Sequence, residues 1–142
     1  MKLNFMLIDD NEVDIFLNTT YLKKEIPNCT IKTFMKPEVA LSYLSSLGNA
    51  SNLNDRFCPE VILCDINMPQ INGFQFLEAF KKLDNYASLK NIKVYLLSSS
   101  VNAADMKLSQ KEEACSGYIN KPLTARKIET LLNEMCSSQS AL

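Results

Sequence analysis

Acidic, hydroxyl and ammonium side chains occur in this chain at the points where short apolar runs end. Asp9 and Asp10 follow the run LNFMLI, and Asp65 follows the run VILC. Ser98 follows the run IKVYLL, and Lys121 comes shortly after the pair YI. Ligands of open parallel α/β sheets bind outside the carboxyl ends of the strands. If these runs are parallel strands, the five side chains share one edge of the sheet.

The chemistry available at such an edge is phosphoryl transfer assisted by a divalent cation. Three clustered carboxylates repel one another unless a cation lies between them, and Mg²⁺ prefers oxygen ligands of this kind. Lys121 is suited to pair with a carboxylate and a phosphoryl oxygen, and the Ser98 hydroxyl to donate to another oxygen. An aspartate in this setting can act as a nucleophile and form an acyl phosphate. Asp9 or Asp10 would alternatively cap a following helix, but the joint pattern of four loops favours a functional site.

The elements that would position these residues alternate between short strands and amphipathic helices. Strands are predicted at residues 3–8, 30–34, 61–64, 92–97 and 118–119, and helices at 12–25, 37–47, 74–83, 102–113 and 124–136. The spacing in the first helix predicts a buried face, which comprises Val13, Leu17, Tyr21 and Lys24. Five strand–helix pairs predict a parallel sheet with helices on both faces. We expect a single α/β domain over residues 1–142, with its core at about 3–136 and a frayed tail at 137–142.

The composition excludes several classes of function. The 142 residues include 15 basic and 16 acidic side chains, and this near-neutral balance lacks the basic surface that nucleic-acid binding requires. The absence of histidine removes Ser–His and Cys–His catalytic pairs and histidine-ligated metal sites. No P-loop motif occurs, which excludes a P-loop nucleotide hydrolase. No apolar stretch approaches the roughly 18 residues of a membrane span, so we expect no membrane insertion.

The five cysteines have irregular spacing and form no C-x-x-C pair; they are Cys29, Cys58, Cys64, Cys115 and Cys136. An odd number without a metal-ligand spacing argues against a disulfide framework or a zinc site. Buried or half-buried reduced thiols are the expected state. Together with an N-terminus that lacks a signal peptide, this favours a cytoplasmic location.

Four sequence strings, MLIDDNE, VILCDINMPQINGF, VYLLSSS and GYINKPLTA, resemble the response-regulator receiver domains of two-component signalling. Together they extend over nearly the whole chain, from Leu3 to about Met135. The resemblance implies a flavodoxin-like sheet with strand order 2-1-3-4-5 and a phosphorelay function that depends on Mg²⁺. It also implies a sensor histidine kinase or a histidine phosphotransfer protein as phosphoryl donor, and a downstream protein target. We expect no output domain and no enzymatic activity beyond the receiver's own phosphoryl transfer and dephosphorylation.

The resemblance assigns the phosphoacceptor and the metal site. Asp65 matches the aspartate that accepts the phosphoryl group. Asp10 and Asp65 match the side chains that ligate Mg²⁺, and Asp9 matches an acidic residue that acts nearby or through water. Asn67 matches the position whose backbone carbonyl completes the metal site.

The resemblance also assigns a switch. Ser98 matches the hydroxyl residue that donates a hydrogen bond to the phosphoryl group, and Lys121 matches the lysine that contacts it, with Pro122 as its usual neighbour. Tyr118 matches the aromatic residue that changes rotamer on activation. In this scheme Ser98 moves toward the new phosphoryl oxygens and Tyr118 turns into the space that it leaves. The surface that changes comprises the helix at residues 102–113, the fifth strand and the last helix. The weak apolar stripe of the helix at 102–113 fits a movable element, and an ordinary edge helix is the alternative.

The chain departs from the family pattern at a few positions. Ser99 stands where the family most often has an alanine-like residue, and the loop at residues 48–58 is longer than usual. Asn67 and Ser100 occupy positions that tune the lifetime of the phosphoryl group. Both are small and polar, so we expect weak shielding from water and a short-lived phosphate.

A further surface is predicted on the first helix, where Ile15, Asn18 and Leu22 lie beside the predicted buried face. Partly exposed apolar residues at this place, next to the acidic site, would suit the helix bundle of a phosphohistidine donor. Ordinary partial burial of these residues is the alternative.

Three other functions compete with the receiver hypothesis. A receiver-like interaction module without phosphorylation would be expected to lack a site residue, and none is missing. A hydrolase of the haloacid-dehalogenase type needs a second acid two residues after its nucleophile, where this chain has Asn67. A flavodoxin-like FMN protein needs a phosphate-binding first loop, which the acidic segment DDNE would repel in the absence of a metal.

Overall fold

A five-stranded parallel sheet forms the frame of the protein in the computed structural model, which describes residues 3–47, 56–99 and 102–140. The strands are β1 (Asn4–Ile8), β2 (Thr30–Phe34), β3 (Val61–Asp65), β4 (Lys93–Ser98) and β5 (Gly117–Asn120). They lie in the order β2-β1-β3-β4-β5, and every pairing is parallel. The α/β class and the strand order expected from the sequence are therefore confirmed.

The helices are α1 (Glu12–Glu25), α2 (Pro37–Ser46), α3 (Gly73–Lys81), α4 (Tyr86–Leu89), α5 (Ala103–Lys111) and α6 (Ala125–Ser140). The sequence does not predict α4, because a single turn is too short to show a helical period. Its Leu89 is buried, and its Tyr86 ring meets the Phe80 ring edge-on at a centroid distance of 5.3 Å. The predicted frayed tail is helical as far as Ser140, because the segment SSQS contains no glycine or proline to end the helix.

The burial of each strand follows from its place in the sheet. All five residues of β3 are buried, as a central strand that is covered on both faces requires. β2 is an outermost strand with a neighbour on one side only, and three of its five residues are exposed. Two clusters of buried side chains lie on opposite faces of the sheet, one beneath α1 and α6 and the other beneath α2 and α3. The sheet is thereby held from both sides, which fixes the ends of its strands.

The buried face of α1 differs from the predicted face. Asn18 and Leu22 are buried, and Ile15 packs against the core, so these three residues point inward. Val13 and Leu17 are 64% and 41% exposed, although the periodicity predicts them as buried. The sequence misleads because apolar residues occur around the whole of α1 and the buried position next to Leu22 is an asparagine.

The turn between β3 and α3 is packed tightly against the backbone that follows Asp65. The Asn72 side chain caps α3 by accepting from the backbone N–H of Gln75, and the Gln75 side-chain oxygen accepts from the backbone N–H of Asn72. A Cβ atom on Gly73 would lie 3.1 Å from both the Asp65 carbonyl oxygen and the Ile66 Cα. Only glycine permits this close approach without a shift of the backbone.

The cysteine thiols are free, as expected. Cys29 and Cys64 are buried and Cys58 and Cys115 are partly buried, whereas Cys136 is exposed, against the prediction. None of the described helices combines the length and the apolar composition that crossing a bilayer requires. Residues 48–55 of the long loop, with Gly48 as the expected helix end, lie outside the described residues, as do Ser100 and residues 141–142.

Candidate functional site

The predicted site residues lie at the ends of four strands along one edge of the sheet. Asp9 directly follows β1 and Asp65 is the last residue of β3. Ser98 is the last residue of β4, and Lys121 follows β5. The backbone N–H of Lys121 donates to the Ser98 carbonyl oxygen at 2.7 Å, which joins the ends of β4 and β5. The sheet thus places side chains that are far apart in the sequence next to one another.

Three carboxylates form the centre of the site. Each of Asp9, Asp10 and Asp65 offers one oxygen, and these oxygens lie within 4.8 Å of one another. Asp9 and Asp65 are buried, whereas Asp10 is exposed and opens the cluster to solvent. Hard oxygen donors that converge in this way, with one side open to water and a ligand, fit Mg²⁺.

The ammonium of Lys121 lies against two of these carboxylates and against a third on α1. Its Nζ is 2.9 Å from Oδ2 of Asp9, 2.8 Å from Oδ2 of Asp14 and 3.2 Å from Oδ1 of Asp65. The Lys121 side chain is only 9% exposed, so these contacts replace most of its hydration. An ammonium has three N–H donors, and each of them finds one carboxylate here.

The burial of this acidic cluster changes its proton affinity. Burial raises the pKa of Asp65 to about 6, and the neighbouring charge of Asp9 acts in the same direction. Lys121 and the backbone N–H of Asn67 lower the pKa of Asp65 but do not outweigh the burial. Burial likewise raises the pKa of Asp9, against the opposing effect of Lys121. The single ammonium therefore leaves a surplus of negative charge, which a divalent cation would neutralise.

Lys121 itself remains charged. Burial alone would lower the pKa of the ammonium, but hydrogen bonds to Asp14 and Asp9 and the charges of Asp9 and Asp65 raise it well above its ordinary value. The site thus keeps a permanent positive charge directly beside the Asp65 carboxylate.

The remaining predicted residues lie on the turn after β3 and on the last two strands. Asn67 lies on the turn after β3 with an exposed side chain, and its backbone N–H bonds the Asp65 carboxylate. The Asn67 carbonyl as a metal ligand stays a prediction. Ser98 is fully buried, and Tyr118 is half-buried on β5, where it pairs with Leu96 of β4.

The sequence analysis missed Asp14 as a member of the site. Asp14 belongs to the first turn of α1, and α1 begins four residues after β1 ends. A helix that follows a strand this closely starts beside the carboxyl ends of the strands. This short connection could have indicated that the first turn of α1 contributes to the site. The prediction used only the residues that directly follow each strand, and Asp14 lies six positions beyond the end of β1.

α5 is the least buried of the long helices beside the site. Of the nine described residues of α5, Ser109 alone is buried. Its apolar residues Met106 and Leu108 are 37% and 52% exposed. An ion pair of 2.7 Å between Lys81 of α3 and Glu112 joins the C-terminal end of α5 to the rest of the molecule. The helix is therefore held at its end more than along its length.

Comparison with known proteins places this site in a defined family. The family model for the response regulator receiver domain matches residues 5–133. A two-component response regulator from Cytophaga hutchinsonii superimposes with a TM-score of 0.83 at 32% identity, over 96% of this chain and 99% of that chain. The phosphorylated cyanobacterial phytochrome response regulator RcpA superimposes with a TM-score of 0.70 at 25% identity, over 95% and 91% of the two chains.

A curated relative extends further than this chain. The probable transcriptional regulator ycf29 of Porphyra purpurea is 27% identical over 135 residues, which are 95% of this chain and 57% of the relative. The chain thus spans little more than half the length of that protein. The match of the family model to most of the chain, together with the fold and the acidic cluster at its sheet edge, shows that the chain belongs to the response regulator receiver domain family of two-component signalling proteins.

Proposed function

We propose that Asp65 accepts a phosphoryl group from a phosphohistidine of a sensor histidine kinase or a histidine phosphotransfer protein, in a reaction that requires Mg²⁺. The observation that supports this most strongly is the position of Lys121, whose ammonium contacts Asp65 at 3.2 Å beside two further carboxylates. A permanent cation next to a nucleophilic oxygen stabilises the charge of a transferring phosphoryl group.

In the transfer step, a carboxylate oxygen of Asp65 bonds to phosphorus while the phosphorus–nitrogen bond of the donor histidine breaks. The electron pair and a proton go to the leaving imidazole, and the product at Asp65 is an acyl phosphate. Lys121 contacts one oxygen of the transferred group, and the Ser98 hydroxyl donates to another. When bound by Asp10 and Asp65, with Asp9 nearby, Mg²⁺ supplies further neutralisation of the phosphoryl charge.

The proposed function is tested by measuring the intact mass of the protein after incubation with acetyl phosphate. We expect a gain of one phosphoryl group in the presence of Mg²⁺ and no gain in EDTA, because the surplus negative charge of the site repels the phosphate donor. Failure to gain the group from acetyl phosphate and also from a phosphorylated histidine kinase would exclude phosphoryl acceptance. The chain would then act as a receiver-like interaction module that is not phosphorylated.

The new phosphoryl group would act through Ser98 and Tyr118. Phosphorylation adds a charge of roughly −1.5 to −2 and three acceptor oxygens beside the end of β4. Movement of the Ser98 hydroxyl toward these oxygens would draw the following loop with it and leave space for Tyr118 to turn inward. α5 follows that loop and buries a single side chain, so it is the element that this change displaces most readily.

We propose the exposed face of α1 as the surface that binds the phosphoryl donor. Val13 and Phe16 are 64% and 69% exposed, and Leu17 lies beside them at 41%. These apolar side chains occupy the first two turns of α1, directly after the acidic loop at Asp10. This face replaces the predicted face at Ile15, Asn18 and Leu22, which the structure buries in part or completely.

Phe16→Ala should slow phosphotransfer from a phosphorylated histidine donor protein by about tenfold, the effect of removing one aromatic contact from an interface. The rate of phosphorylation by acetyl phosphate should stay unchanged, because this small donor does not contact α1. Both rates are measured from the time course of the phosphorylated mass. Val39→Ala is the control, because it shortens an exposed apolar side chain on α2, at the opposite face of the sheet, and should alter neither rate. An equal loss with both donors would contradict a docking role.

A further inference from the structure

We propose that Asp14 is a positioning residue, which holds the Lys121 ammonium in place for the reaction at Asp65. The inference rests on the proposed phosphoryl acceptance at Asp65. It concerns a residue on the first turn of α1 that is five positions from Asp9 and 107 positions from Lys121.

The contact between Asp14 and Lys121 is the shortest of the three that the ammonium makes. Its length is 2.8 Å, against 2.9 Å to Asp9 and 3.2 Å to Asp65. The Asp14 side chain is 31% exposed, whereas that of Lys121 is 9% exposed. An isolated surface ion pair would contribute little, but this one belongs to a network around a largely buried cation.

The start of α1 leaves the Asp14 carboxylate available for this contact. The Asn11 side chain caps the helix and accepts from the backbone N–H groups of Val13 and Asp14 at 2.9 and 3.2 Å. An acidic residue three positions after an N-cap commonly hydrogen-bonds back to the N-cap N–H. Here that N–H donates to Oδ1 of Asp9 at 3.0 Å instead. The carboxylate of Asp14 therefore has no role in the cap and extends to Lys121.

The geometry of the three contacts explains what Asp14 does. Asp9 holds the ammonium from the end of β1, and Asp14 holds it from α1. With two donors fixed, the third N–H points to the Asp65 oxygen and to whatever is bonded there. Both fixed contacts can persist when a phosphoryl oxygen takes the place of the Asp65 oxygen. Without Asp14, the ammonium has one anchor and moves among the remaining carboxylates.

Substitution of Asp14 should therefore slow the reaction without preventing it. We expect Asp14→Ala to reduce the rate of Mg²⁺-dependent phosphorylation by acetyl phosphate by about tenfold, less than the ~100-fold that a full ångström of misplacement can cost. Asp14→Asn keeps an acceptor oxygen at the same place and should recover most of the rate. Glu12→Ala is the matched control, because it removes an exposed acid from the first turn of the same helix and should leave the rate unchanged. Thermal unfolding establishes that all three variants are folded.

A second measurement reports on the ammonium directly, in the unphosphorylated protein. Nitrogen-15 NMR should show the Lys121 ammonium as a resolved signal, because three carboxylates slow the exchange of its protons with water. The signal should be lost in Asp14→Ala and retained in Asp14→Asn and Glu12→Ala.

The two measurements separate the possible failures. An unchanged rate in Asp14→Ala would overturn the proposal, and so would equal losses of rate in Asp14→Ala and Glu12→Ala, which would indicate a general effect of charge. If the wild-type protein accepts no phosphoryl group, the proposed function fails. The proposed role of Asp14 in the reaction then fails too, even if the NMR signal of the ammonium depends on Asp14.

Discussion

Asp65→Asn should accept no phosphoryl group from either acetyl phosphate or a histidine kinase. The amide has nearly the same shape as the carboxylate, but it lacks the anionic oxygen that would bond to phosphorus. Since Asp65 is the last residue of a completely buried strand, the isosteric change keeps β3 and its packing intact. The intact mass in the presence of Mg²⁺ measures the loss, which we expect to be complete.

Asp84→Asn is the control for this experiment. It is the same chemical change at an exposed residue just after α3, and α3 begins at the site and leads away from it. This variant should gain the phosphoryl group as the wild type does. If Asp65→Asn still gained a phosphoryl group, another carboxylate of the cluster would be the acceptor. Asp10→Asn would then test the neighbouring exposed acid.

The sequence predicts the positions of the site residues well because a parallel sheet always brings the carboxyl ends of its strands together at one end of the sheet. A continuous apolar run such as VILC, followed by an acid, predicts a central strand whose carboxyl end carries that acid. Parallel pairing then brings Asp65 to the end of β1 and therefore to Asp9. No detail of side-chain packing enters this argument, so errors of a residue in strand boundaries leave it intact.

The orientation of α1 is not predictable from the sequence in the same way. The periodic positions of Val13 and Leu17 compete with those of Ile15 and Leu22, and hydrophobicity alone does not choose between them. The choice is made by tertiary contacts, which bury Leu22 beneath the helix. The omission of Asp14 has a different cause, because Asp14 lies at a similar angle from both faces of the helix. Its contact with Lys121 depends on where the first turn of α1 lies relative to the sheet.

The stability of the metal-free protein should fall between about pH 4 and pH 6, and Asp65 should be a principal reason. Its pKa is about 6 in the folded protein and near 3.8 when the chain is unfolded. Between these values the folded state binds more protons than the unfolded state, so the free energy of unfolding decreases as the pH rises. The difference corresponds to about 3 kcal/mol, and above pH 6 the loss is complete.

Asp65→Asn should remove this dependence, because the amide does not titrate. In EDTA at pH 7.5 the variant should be more stable than the wild type by up to about 3 kcal/mol, whereas below pH 4 the two should converge. Urea unfolding at both pH values measures the difference, with Asp84→Asn as the control that follows the wild type. Mg²⁺ should reverse the order at pH 7.5, since it binds the folded carboxylates of the wild type and loses a ligand in the variant. Equal stability of the two proteins in EDTA at pH 7.5 would contradict this prediction. It would mean that Lys121 alone neutralises the Asp65 charge, so that the site would not require a divalent cation to balance its carboxylates.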